Sequence, residues 1–221
     1  MSFNIAIDGP AGAGKSTIAK LAAKELGFVY VDTGAMYRTI ALGLLRGGVD
    51  CEDERQLERA LNEISVDISY EDGIQQMLLN GENVTGLIRT EEVSRMASIS
   101  SAKSQVRKKL LMMQRALAQQ RDVIMDGRDI GTQILPKAQL KIYLTASVDA
   151  RAKRRYLELR EKGETCSLEE IEQDIRERDD RDMHREIAPL KQAEDAVLVD
   201  SSELTIPEVT ERIVSLARER F

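Results

Sequence analysis

Short β-branched runs alternate along the chain with longer stretches whose apolar residues recur every three or four positions. Phe3–Ile7 is apolar except at Asn4 and runs directly into a glycine-rich segment that begins at Gly9. Ser16–Leu26 places Ile18, Leu21, Ala22 and Leu26 on one helical face and stops at Gly27. Phe28–Val31 is a second strand ending at Asp32, and Val123–Met125, Leu140–Leu144 and Ala196–Val199 are further candidates. Their nearly continuous apolar character predicts strands covered by helices on both faces, hence an α/β protein with a parallel sheet. The middle of the chain is patterned differently. Val66–Tyr70 and Met77–Leu79 lie beside the turn signals Asp72-Gly73 and Asn80-Gly81, which predicts a small antiparallel insertion.

Composition narrows the class. At 221 residues the chain suits one domain with an insertion, long enough to bury a core. It carries 32 Lys+Arg against 38 Asp+Glu, a net charge of -6, which disfavours non-specific nucleic-acid binding. Two distant cysteines, Cys51 and Cys166, and a single histidine, His184, argue against a zinc module and a disulfide framework, and against a Ser-His-Asp hydrolase. The opening MSFNIAIDGP has no secretory pattern and no stretch approaches 18 apolar residues. The expectation is therefore a cytoplasmic protein in a reducing compartment, with no membrane partner. No heptad array or large apolar stripe demands an oligomer, so a monomer is expected.

The segment Gly9-Pro10-Ala11-Gly12-Ala13-Gly14-Lys15-Ser16 fits G-x-x-x-x-G-K-[ST], between a predicted strand and a predicted helix. In such a loop the glycines let backbone N–H groups converge on phosphate oxygens, and the helix N-terminus adds partial positive charge. Lys15 would reach the β/γ-phosphates of a bound nucleoside triphosphate, and the Ser16 hydroxyl would ligate Mg²⁺. Asp8 and Asp126, each ending a strand, either orient Mg²⁺-bound water or cap the turn that follows. No Asn-Lys-x-Asp element is present, which argues against a GTPase.

A phosphotransferase needs a second anionic pocket. Asp32-Thr33-Gly34-Ala35-Met36-Tyr37-Arg38 follows the second strand, and Asp126-Gly127-Arg128-Asp129 follows the third apolar run, both at the sheet edge where α/β folds bind ligands. Arg178, Asp182 and Arg185 stand at i, i+4 and i+7, so a helical stripe would present a carboxylate between guanidiniums, fit for a ribose hydroxyl and a phosphate. The alternative is a solvated face. Arg151, Lys153, Arg154 and Arg155 begin another predicted helix, with Ser147 as N-cap. Cations there oppose the helix dipole, so an anionic ligand beneath a closing lid would account for them, as would a solvated basic patch.

Together IDGPAGAGKST, VDTGAMYR, DGRDIGT, RAKRR, ERDDRD and Ala188-Pro189-Leu190 resemble the bacterial cytidylate kinases, from Ile7 to about Asp200. The resemblance implies a P-loop core at about 1–36, 87–150 and 165–221, a monophosphate-binding insertion at about 37–86 and a lid at about 151–164. It implies phosphoryl transfer from MgATP to CMP or dCMP. ATP would lie on Gly9 to Ser16 and Thr17; Lys15, Arg128, Arg154 and Arg155 would stabilise the transfer. Arg38, Arg128 and Arg185 would hold the acceptor phosphate with Thr33, where many relatives have Ser. Ser98, Arg107 and Asp129 would read cytosine, and Arg178 and Asp182 would bracket the ribose. The alternatives are a kinase of the same architecture for UMP, AMP or a non-nucleotide, and a P-loop switch with little turnover.

Overall fold

Runs of Ile, Val and Leu that can be covered on two sides become the parallel sheet, and the intervening 3.6-residue patterns become its helices. The computed structural model describes residues 2–161 and 163–221; Met1 and Lys162, which fall in the expected core and lid segments, lie outside the described residues. In chain order the elements are β1 (Asn4–Asp8), α1 (Lys15–Leu26), β2 (Val29–Asp32), α2 (Thr33–Arg46), α3 (Glu54–Glu63), β3 (Val66–Glu71), β4 (Ile74–Leu79), β5 (Glu82–Asn83), α4 (Glu91–Ser100), α5 (Ser104–Gln120), β6 (Val123–Gly127), β7 (Leu140–Thr145), α6 (Val148–Glu161), α7 (Leu168–His184), β8 (Val197–Asp200) and α8 (Ile206–Arg218). A π-helical turn, Ile130–Ile134, separates β6 from β7. The chain divides into two compact units, Met1–Tyr30 with Arg121–Phe221, and Val31–Gln120.

The five-stranded sheet has the order β2-β6-β1-β7-β8; β1, β6, β7 and β8 belong to the first unit, and β2 runs past its boundary at Tyr30. β1 runs parallel to β6 and β7, with Asp8 opposite Gly127 and Tyr143, and β8 runs parallel to β7. Ile5, Ile7, Ile124, Ile142, Leu144 and Val199 pack against Ile18, Ala19 and Ala22 of α1 and Val209, Ile213 and Val214 of α8. The small alanines of α1 let its backbone lie close to the sheet. α8 opens with a capping box, in which Thr205 accepts from Glu208 N and the Glu208 carboxylate reaches back to Thr205. Ser147 caps α6 by accepting from Ala150 N at 3.1 Å, as its sequence position predicts.

The second unit contains the antiparallel insertion, ordered β3-β4-β5. Its register pairs Glu71 with Ile74 and Val66 with Leu79. Both turns carry the positive φ pair of a two-residue hairpin, 50° and 75° at Asp72-Gly73, 50° and 83° at Asn80-Gly81. Buried Met36, Ile40 and Leu44 of α2 contribute to the core of this unit, as do Leu57, Met77, Leu79, Val93 and Leu110. Residues 91–120, for which periodicity gave no element, form α4 and α5, the first capped by Thr90 accepting from Val93 N.

One glycine governs how closely the strand edge meets the loop. A Cβ added to Gly9 would lie 1.9 Å from the Leu144 carbonyl oxygen, which is backbone and cannot rotate aside. Gly9→Ala is expected to cost about 3 kcal/mol or more in thermal or urea unfolding. At Gly27, the left-handed cap of α1, nothing lies within 4 Å of the added carbon. Gly27→Ala should therefore cost only about 1–2 kcal/mol; equal effects would refute the steric assignment.

Candidate active site

The loop Gly9–Gly14 leaves β1 and enters α1, and its carbonyls are pinned one by one. The Lys15 Nζ donates to Pro10 O at 2.7 Å, Arg151 Nη1 to Ala11 O at 3.1 Å, and Ser201 Oγ to Ala13 O at 3.3 Å. A planar trans peptide points its N–H opposite to its C=O. Holding these three carbonyls therefore sets the directions of the Ala11, Gly12 and Gly14 amides, the arrangement a phosphate-cradling loop requires. Thr17 is exposed on the first turn of α1.

Beside this loop, Ser16 Oγ donates to Asp126 Oδ2 at 2.9 Å, and the Tyr30 hydroxyl donates to Asp126 Oδ1 at 2.9 Å. A hydroxyl and a carboxylate give hard oxygen donors. Among the described residues no group of three or more His, Cys, Asp or Glu is built to hold a metal. That set fits a Mg²⁺ that keeps its waters and takes its remaining ligands from nucleotide phosphates. Of the two strand-end carboxylates, Asp126 is the one placed on the P-loop serine. Asp8 instead caps the π-helical turn, accepting from Ile130 N and Gly131 N, both at 2.7 Å.

Burial and charge compete at this edge. Lys15 is 6% exposed; burial and the neighbouring Arg128 and Arg178 push its pKa down, opposed by Asp126 and Asp8. Arg128 Nε donates to Asp182 Oδ2 at 2.8 Å. Burial alone would raise the Asp182 carboxyl, but Arg128, with Arg178 and Arg185, outweighs it and holds the group below the ordinary carboxylate value. Asp129 is buried, with Arg185 Nη2 at 3.6 Å from its Oδ1.

Two sequence expectations need correction. Arg178 and Asp182 do lie on α7, but Arg185 is its C-cap, extended at φ -62°, ψ 141°, so the three form no helical stripe. The helix ends because the Asp182 carbonyl takes Leu190 N at 2.7 Å. Arg185 then reaches Asp129 from the loop, its Nε bound to Ala188 O at 2.7 Å. Arg151, grouped by sequence with Lys153, Arg154 and Arg155, is 4% exposed and forks onto Asp179. A buried ion pair, not a ligand, explains its charge. Arg154 donates to the Ser201 hydroxyl and carbonyl, and the half-exposed Arg155 pairs with Glu158 at 3.0 Å.

In the second unit Thr33 is the buried first residue of α2, directly after Asp32. The Asp32 carboxylate accepts from Ala35 N at 2.8 Å, from Arg38 Nη2 at 3.2 Å and from Arg89 Nη2 at 3.0 Å. Gln75 accepts from Asp32 N at 2.8 Å and donates to Asp32 O at 3.3 Å. Ser98 and Arg107 meet through Ser101, whose hydroxyl donates to Ser98 O at 3.1 Å and whose carbonyl accepts from Arg107 Nη1 at 3.3 Å. Arg107 also lies over the Tyr37 ring, 5.6 Å from its centroid. Sequence reasoning passed over Arg89, Gln75 and Ser201. Asp32 carried a usable signal, an N-capping residue at a strand end; Gln75 carried none.

The fold and the loop define a P-loop phosphate-binding α/β protein. Among solved structures, the shikimate kinase of Bacteroides thetaiotaomicron shares this fold with a TM-score of 0.52 at 14% identity, covering 98% of each chain. The family model for cytidylate kinase matches residues 5–219. Relatives named cytidylate kinase include those of Caldicellulosiruptor bescii, 50% identical over 97% of this chain and 95% of its own, and Halalkalibacterium halodurans, 46% identical over 99% and 98%. The chain belongs to the cytidylate kinase family and is a nucleoside monophosphate kinase, a nucleotide-binding transferase. No helix among the described residues is long and apolar enough to cross a membrane.

Burial pushes the Asp8 carboxyl up to about 6 against the two backbone N–H groups that favour its charged form. Between about pH 4 and 6 the folded state then holds a proton that the unfolded chain has released. This group's contribution to stability therefore falls as pH rises through that window. The Asp8 carboxyl ¹³C resonance should titrate with a midpoint near 6; a midpoint near 4 would show that the backbone N–H groups dominate.

Proposed function

We propose that the chain transfers the γ-phosphoryl of ATP directly to CMP or dCMP, giving CDP or dCDP. One observation carries the reading: a P-loop with Lys15 buried on Pro10 O and Ser16 set on Asp126, in a chain that the cytidylate kinase family model matches over residues 5–219. Lys15 with Arg128 and Arg178 puts cations at one sheet edge, suited to two polyanions brought together there. The names of the relatives supply the acceptor base.

Lys15 and the Gly9–Thr17 loop bind the ATP phosphates. Arg38, Arg128 and Arg185 hold the acceptor phosphate, with the Thr33 hydroxyl donating to it. Asp129 accepts from the cytosine amino group, Arg107 donates to the ring acceptors and Ser98 completes the base contacts. UMP offers a carbonyl where cytosine has NH₂, so it would meet Asp129 acceptor to acceptor, a mismatch of about 1–3 kcal/mol. Arg178 and Asp182 hold the ribose. Residues of about 37–86 form the monophosphate-binding segment, and those of about 151–164 a lid whose Arg154 and Arg155 turn toward the transferring group as it closes.

The acceptor phosphate is already anionic near neutral pH, its second pKa being about 6, so no general base is needed. In-line attack then depends on positioning, exclusion of water and neutralisation of charge. Bound Mg²⁺ supplies Lewis-acid charge neutralisation on the phosphate oxygens, and Ser16, oriented by Asp126, is the side chain that would hold it. The reading calls for a cytoplasmic monomer acting on small molecules, with no nucleic acid.

An ADP-release assay across CMP, dCMP, UMP, AMP and GMP should show rapid turnover with CMP or dCMP, and Lys15→Ala should lower kcat roughly 100-fold or more. Near-normal turnover by that variant would refute the donor assignment. Asp129→Ala should raise KM for CMP at least roughly 10-fold while KM for ATP changes little. Equal losses for both substrates would remove Asp129 from base reading.

A further inference from the structure

Arg151 is a buried cation of the first unit that the transfer mechanism leaves unused. It lies on α6, 4% exposed, and one guanidinium serves three places at once. Nε donates to Ala146 O at 2.9 Å, beyond the end of β7. Nη1 donates to Ala11 O at 3.1 Å in the P-loop and to Asp179 Oδ1 at 3.0 Å, while Nη2 donates to Asp179 Oδ2. Asp179 is itself buried on α7. Its neighbours on that helix are Arg178 and, three residues on, Asp182, which is bonded to Arg128 at 2.8 Å.

A buried ion pair contributes little net stability, because desolvating two charges consumes most of their attraction. Packing alone would be served as well by two apolar side chains. What an apolar pair would not do is hold a loop carbonyl and a second helix in one rigid fork. Fixing Ala11 O also fixes the opposite-pointing Gly12 N–H, since the peptide is planar. The stem reinforces this, as the Arg151 Cβ lies 3.4 Å from where a Gly12 Cβ would stand.

The geometry points to Arg151–Asp179 as a positioning pair that couples the donor loop to α7, so that occupation of either nucleotide site raises affinity at the other. The inference rests on the proposed function, in which the loop holds ATP and α7 holds the acceptor ribose. A nucleotide that draws the Gly12 amide onto a phosphate shifts the Ala11 carbonyl, and the fork passes that shift to Asp179 and the turn bearing Arg178 and Asp182. By linkage, the acceptor must act on the donor loop by the same factor.

The test is a binding cycle by calorimetry, using CMP and a non-hydrolysable ATP analogue singly and together. In the wild-type enzyme the analogue should tighten CMP binding by about 5-fold or more, and CMP the analogue equally. Asp179→Asn keeps the shape and removes the charge. It should leave each binary affinity within about 3-fold while the coupling falls below about 2-fold; R151K, which lacks the planar fork and with it the bond to Ala11 O, should lose the coupling together with affinity for the analogue. Coupling retained in a folded Asp179→Asn enzyme, or absent from the wild type, would overturn the pair's role. Hydrogen exchange on the wild type decides the matter if the variants do not fold. The analogue alone should slow exchange at residues 178–182 and CMP alone at 11–13, and the absence of both effects overturns the inference. Failure of the functional reading is separate: it would appear as no phosphorylation of any nucleoside monophosphate by the wild-type enzyme.

Discussion

A cation taken out of water has to be met by an anion, and the carboxyl edge of the parallel sheet is organised around that constraint. Lys15 and Arg151 are both almost wholly buried there, and Arg128 is partly so. Each faces carboxylates drawn from a different element: Asp126 and Asp8 at strand ends, Asp179 and Asp182 on α7. Remove the carboxylates and the guanidiniums repel; remove the guanidiniums and the carboxylates take up protons. The chain's net charge of -6 is thus compatible with a group of cations at this edge, because each of them is met there by carboxylates.

The same compensation divides the arginines into two kinds. Arg151 is fully committed to Asp179 and backbone carbonyls, and so behaves as scaffold. Arg38 shares a carboxylate with Arg89, and among the described residues its buried Nε meets no acceptor, so it retains donor capacity. A polyanionic ligand competes successfully only for the second kind, since displacing a bidentate buried pair leaves a bare charge costing several kcal/mol.

Much of this was legible from the residues. Strand and loop residues around Gly9–Ser16 declare themselves because phosphate binding demands glycine, lysine and a hydroxyl at fixed spacing. The hairpins at Asp72-Gly73 and Asn80-Gly81 do so because few residues tolerate their backbone. The end of α7 at His184 was not legible. It depends on Leu190 N capturing the Asp182 carbonyl, a contact between residues whose identities give no cue. Arg151 was visible as a charge but not as a buried one, since its partner Asp179 is 28 residues away on another helix. Local periodicity reports on a helix's own face, and says nothing about the element laid against it.

If this edge works by charge and geometry alone, no side chain becomes phosphorylated on the way. The stereochemical course at phosphorus tests that directly. With CMP as acceptor and ATP made chiral at the γ-phosphorus, a single direct displacement gives inverted configuration in the β-phosphoryl of the CDP product. Retention would require two displacements through a phosphorylated enzyme, and would contradict an account in which cations and positioning suffice.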